Sequence, residues 1–242
     1  MDAHTYAAHL RADGKAMTAA ATGNLDNVVP SCPDWNMADL VRHTGEVHRF
    51  WDAIARQGLQ DPSAVESDLG PERDQLVDWF TAGVGELADL LEHADGSQAA
   101  WTWSDQNDVA FIQRRMAQET AVHRWDAQAA AGAPQPIDAE LAVDGIDEFL
   151  DVFLAHPEMK ARHAEGSESV HLHCTDAPGE WLIAVAGGEL AVRREHGKGD
   201  AAVRAPASDL LLLLWRRVGP AELEVFGDVT AVEQFIARTQ VE

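Results

Sequence analysis

The sequence predicts an α+β protein: a helical bundle over residues 1–155, then a small α+β domain over 165–242. Three observations carry this expectation. The first part repeats apolar residues at helical spacing. After Pro157 the pattern switches to alternating, strand-like runs. A chain of 242 residues with 46% apolar content suffices for one large domain or two small ones.

Residues 4–22 are Ala-rich, broken only by Gly14, and read as a helix. "VVPSCPDWN" then brings two prolines and a capping signal, Asp34 or Asn36, for a helix over 36–57. Leu40, Val47, Phe50 and Ile54 give that helix its apolar stripe. A polar loop over 58–70 precedes a third helix over 71–93, carrying Leu76, Trp79, Phe80, Val84, Leu87 and Leu91. "AAWTWSDQNDVAF" breaks like an irregular loop or short hairpin. A fourth helix over 111–131 ends at "AGAPQP", and a fifth covers 137–155. In the second part, "SVHLHCTD" reads as a strand and "EWLIAVAGGELAVRRE" as two strands around a Gly-Gly turn. "AAVRAPASDLLLLLWRRV" reads as a strand and a helix capped by Ser208 or Asp209. "LEVFGD" adds a short strand and "VTAVEQFIART" a last helix.

With 41 acidic against 18 basic residues, the net charge of -23 repels phosphate backbones and anionic lipid. Nucleic acid and membrane are therefore not expected partners. The start "MDAHTYAAHL" lacks the basic and apolar segments of a signal peptide, and "DLLLLLW" is too short to span a bilayer. Two cysteines, Cys32 and Cys174, make no disulfide framework. These features predict a cytoplasmic protein with reduced thiols.

The polar residues on apolar stripes point to chemistry. Glu119 and His123 are four apart on the fourth helix and share a face with Met116, Thr120 and Ala127. The opposite face is read as Arg114, Gln118, Arg124 and Asp126. On the second helix, His43 falls within the apolar stripe, and His48 is read as a flanking residue. A buried carboxylate needs a partner or a metal. Two histidines and a carboxylate make a three-ligand metal site with open positions, and bundle interiors commonly house such sites. The same spacing also suits a hydrogen-bonded core pair, and spacing alone leaves both open.

"DWNMADLVRHTGEVHRFW" and "RRMAQETAVHRWDA" together resemble the mycothiol-dependent maleylpyruvate isomerase family, within the DinB-like metal-binding four-helix superfamily. "VHLHCTDAPGEW" and "GELAVRREHGKGDAAVRAPASDLLLLLWRR" resemble that family's C-terminal domain. Many members of that family carry a His where Gln118 stands, a position read as off the metal face, so this departure leaves the implied site intact. The resemblance implies that His43, Glu119 and His123 bind Zn2+ or another divalent metal. It further implies a thiol cofactor, mycothiol or a related small thiol, and a small electrophilic substrate. The implied activity is an isomerase or S-transferase: thiolate addition to an activated alkene, rotation and elimination would isomerise it, and addition alone would transfer sulfur. A metal-dependent hydrolase or amidase on the same site, and a non-catalytic zinc-binding domain, are the alternatives. The oligomeric state, monomer or homodimer, stays open.

An anionic substrate needs a cation. The resemblance implies that one arginine of the C-terminal domain serves the active cleft, and Arg217 is the better match of Arg216 and Arg217. Both also suit a helix C-terminus. Arg114 and Arg115 are read as salt-bridged surface groups. Arg49 and Trp51 are candidates for a cleft mouth, and Trp101 and Trp103 are read as core aromatics. Cys32 is assigned a surface or packing role, and Cys174 is read as a small buried strand residue. His196 and Lys198 are read as solvated. His171 and His173 share one strand face, but lacking an evident carboxylate partner they are not read as ligands.

Overall fold

The structure is a computed structural model that describes residues 1–66, 68–186 and 189–240. Contacts divide the chain into two units, Met1–Gln135 and Pro136–Glu242.

In the first unit, helix α1 (Ala3–Ala21) starts at Asp2, whose carboxylate accepts from the Thr5 amide. A two-stranded antiparallel ribbon, β1 (Val28–Val29) and β2 (Cys32–Asn36), leads into α2 (Met37–Gln57). Asn36 and Asp39 form a reciprocal capping box there, at 3.1 and 2.9 Å. Gly58 ends α2 in the left-handed region. Helices α3 (Leu76–His93) and α4 (Val109–Ala130) complete the four-helix bundle, with Asp108 capping α4. Helix α2 lies against α3 closely enough that a Cβ on Gly45 would meet the Trp79 ring at 2.1 Å.

Helix α4 packs against α1, α2 and α3 and is buried nearly all round. The face expected to be polar and outward is therefore inward: Gln118, Arg124 and Asp126 are all buried. Arg124 is held by Asp13 at 2.9 Å and by the Gln135 carbonyl. On α2 the buried stripe runs through Leu40, Val41, Thr44, His48, Trp51 and Ile54. His48 is consequently a core residue, not a flank. It hydrogen-bonds the Thr120 hydroxyl at 2.8 Å, and burial pulls its pKa down to about 3. His43 stands at the edge of the stripe with 38% of its side chain exposed.

In the second unit, α5 (Ala139–Glu148) packs on α7 (Ala207–Leu214). The turn after α5 is wide, with the Leu154 amide bonded to the Phe149 carbonyl. The short α6 (Pro157–Ala164) was not expected; its signal is Pro157 in the first turn. The sheet contains β3 (Ser169–Cys174), β4 (Glu180–Ala186), β5 (Glu189–Arg193), β6 (Ala201–Ala205) and β7 (Glu224–Gly227), in the order β5-β4-β3-β6-β7. Only β3 and β6 pair in parallel. The expected Gly-Gly turn, residues 187–188, lies outside the described residues. Helix α8 (Val229–Ala237) contacts β3 and β6.

Helix α7 is not capped by Ser208 or Asp209. Its first amide, Ala207, donates to Asp176 at 2.8 Å, and the Ser208 hydroxyl accepts from the Ile137 amide. Its C-terminus closes with the Arg217 amide on the Leu212 carbonyl and the Arg216 amide on Leu213. Arg216 takes the left-handed position, φ 62°, that glycine usually fills. Among the described residues no helix is long and apolar enough to cross a membrane.

Replacing Gly45 with Ala should destabilise the protein by ~1–3 kcal/mol through overpacking against Trp79. Denaturant unfolding checks this, and an unchanged midpoint would show that α2 and α3 separate freely.

Candidate metal centre

Glu119 and His123 meet on α4 as the helical spacing requires: His123 Nε2 lies 3.0 Å from Glu119 Oε1. His43 reaches the same oxygen from α2, Nε2 to Oε1 at 3.7 Å. The two imidazoles stand edge to face, centroids 5.3 Å apart. One donor atom from each of the three residues lies within 4.8 Å of the others. The Trp35 ring on β2 packs 4.9 Å from the His43 ring and confines it from the side.

Two partners surround the three. Asp126, fully buried, accepts from His123 Nδ1 at 3.0 Å and from the Ser31 hydroxyl at 2.6 Å. That bond fixes the ring and turns Nε2 toward Glu119 and His43, the outer-shell arrangement found behind metal-ligating histidines. Arg115 approaches the other oxygen, Glu119 Oε2, at 3.3 Å. Arg115 is buried, so it is not the surface group expected from sequence, and it pairs with Glu119. Sequence reasoning missed Asp126, Ser31, Trp35 and Arg115. His123 and Asp126 are three apart on one helix, and that spacing was the available signal.

The charges follow from these distances. Burial alone would push the Glu119 carboxyl up, but His123, His43 and Arg115 hold it well below the usual carboxylate range. Burial opposes charge on His123, yet Glu119 and Asp126 outweigh it and push its pKa up to about 9. An imidazolium between two carboxylates thus occupies the place where a cation is wanted. The donor set, two imidazole nitrogens and one carboxylate oxygen, fits a borderline divalent ion such as zinc.

Residues 7–128 match the mycothiol maleylpyruvate isomerase N-terminal domain, and residues 140–234 match the C-terminal domain of the same family. The chain belongs to the mycothiol maleylpyruvate isomerase family. No curated protein matches it. Similar solved structures include a UbiJ-SCP2 ubiquinone synthesis protein, 28% identical, covering 41% of this chain and 94% of that one, with a TM-score of 0.32. Another is a double mutant of the sec-alkyl sulfatase PisA1, 11% identical, covering 81% of this chain and 32% of that one, with a TM-score of 0.34. Both superpositions are too loose to bear on the fold.

Within this isomerase-family chain the remaining candidates divide clearly. Arg217 follows the left-handed residue at the end of α7 and donates to the Trp215 carbonyl at 2.8 Å. Arg49 is held on α2 by Asp68 at 3.0 Å and lies over the Trp79 ring. With Trp51 it lines a groove of about 370 Å³ beside the 62–69 loop. Trp101 stacks on Trp51, and Trp103 packs edge-on against Phe111. Cys174 is buried, and burial pushes its thiol up to about 12.

Asn in place of Asp126 removes one of the two carboxylates that hold the His123 proton. In the metal-free protein, the His123 NMR titration midpoint should then fall from about 9 by roughly 1–3 units. An unmoved midpoint would mean that Asp126 does not sustain the imidazolium.

Proposed function

We propose that the protein is a metal- and thiol-dependent enzyme, an isomerase or S-transferase acting on a small, anionic electrophile. The observation that carries this is the convergence of His43, Glu119 and His123 donor atoms within 4.8 Å. The family assignment supports a mycothiol-type thiol as the co-reactant. Three protein donors support an open, reactive site, because a purely structural zinc site closes with four. Bound there, zinc or another divalent ion would lower the pKa of a coordinated thiol and supply it as thiolate at neutral pH.

The chain's own residues fill definite roles in this reading. Glu119 and His123 hold their positions because α4 is rigidly packed. Asp126 keeps the His123 Nδ1 proton, so Nε2 is the nitrogen presented to the ion. Trp35 limits the rotation of His43, the most exposed of the three. The protein's own thiols support an external nucleophile: Cys174 is buried with a raised pKa, and Cys32 belongs to the β1–β2 ribbon. Arg217 is assigned to hold the anionic group of the substrate. A guanidinium suits that task because its planar fork matches a carboxylate.

His123→Ala should remove one equivalent of tightly bound metal, read by elemental analysis, and abolish thiol-dependent turnover. Calorimetry should show mycothiol binding to the wild-type holoprotein and none after chelation; equal binding to both forms would sink the thiolate reading.

Arg217→Ala should raise KM for an anionic substrate ~10-fold or more, the loss of one charge-assisted hydrogen bond, with metal content unchanged. Identical kinetics would reject that assignment.

A further inference from the structure

The second unit holds another convergence of metal-ligating side chains. His171 and His173 alternate along β3 and so share a face. In the β3–β4 register, Glu180 stands directly opposite His173. Its carboxylate supplies the partner that the sequence did not reveal. Glu180 Oε1 lies 2.9 Å from His173 Nδ1, and Oε2 lies 3.3 Å from His171 Nε2. A third imidazole arrives from the segment after β5, with His196 Nδ1 2.8 Å from the same Oε2. The His171 ring is 5.1 Å from that of His196 and 6.0 Å from that of His173.

Close backbone approach brings His196 there. A Cβ on Gly197 would meet Leu182 at 2.6 Å, and one on Gly199 would meet the Ser169 carbonyl at 2.8 Å. The segment is thereby laid against β4 and the start of β3. Leu182 lies two residues beyond Glu180, on the same face of β4.

We propose that His171, His173, Glu180 and His196 form a second metal site, taking a divalent transition ion of the zinc, cobalt or nickel class. One donor atom from each residue lies within 4.8 Å of all the others. Among the described residues, every ion-pair partner of Glu180 is an imidazole. Three nitrogens and one oxygen make a four-donor set of the kind that closes a tetrahedral shell. Imidazole-rich sets select transition ions over calcium or magnesium. With four protein donors this site suits a structural role, clipping β3, β4 and the His196 segment together. The first cluster, with three donors, stays open.

The test uses the full chain with His43→Ala and His123→Ala, titrated with cobalt(II). It should bind one equivalent and develop the intense visible absorption of tetrahedral cobalt. Adding His171→Ala and His173→Ala should abolish both signals. In the otherwise wild-type chain, exposed His196→Ala should weaken that equivalent ~10-fold or more, since a lost ligand should cost at least as much as a lost outer-shell partner. Should the His43/His123 variant not fold by circular dichroism, His171→Ala with His173→Ala in the otherwise wild-type chain must lower cobalt stoichiometry by one. Cobalt uptake that ignores the His171, His173 and His196 changes would overturn the proposal. Failure at the first cluster reads differently, as a single equivalent that the His171 and His173 changes remove.

Discussion

Glu119 carries a carboxylate into a helical bundle, and an ionised carboxylate withdrawn from water needs compensating charge. The surroundings supply it from three sides. Arg115 comes from the preceding turn of α4, His123 from the following turn, and His43 from α2. Each compensator needs its own support. His123 leans on Asp126, Asp126 on Ser31, and His43 on Trp35. The short β1–β2 ribbon, which supplies Ser31 on its turn and Trp35 on its second strand, is thus part of the site and more than a connector.

The two His–Glu clusters apply one principle with different openness. Each places a glutamate at the hub and imidazoles around it. In the bundle the hub meets an arginine, and a buried aspartate stands behind His123, so opposite charges alternate through the cluster. On the sheet the hub is met by imidazoles alone, one of them 82% exposed. The bundle set is held by helix packing; the sheet set is held by strand register and a glycine-bearing segment.

Legibility in the sequence followed the range of the interaction. The i,i+4 pair Glu119 and His123 is fixed by one helix, so spacing sufficed. The capping of α2 by Asn36 was equally local. His43 came into the set because helical rhythm placed it near the core, although its position at the edge of the buried stripe depends on how α2 divides its contacts between α3 and α4. His48 and Arg115 were misread for that reason: burial there is decided by neighbours, not by the helix itself. Glu180 was invisible as the partner of His171 and His173, because it reaches them only through the register of β3 with β4. The cap of α7 was missed likewise, Asp176 being far from it along the chain.

Burial of α4 on nearly every side has a consequence for how this protein can diverge. Most substitutions along that helix would open a cavity, crowd a neighbour or strand a charge, so the helix tolerates little change. A diverging lineage would have to leave α4 largely as it stands. Within the first unit, more freedom lies on the half-buried flank of α2. The helix that carries Glu119 and His123 is the part of the first unit least free to change.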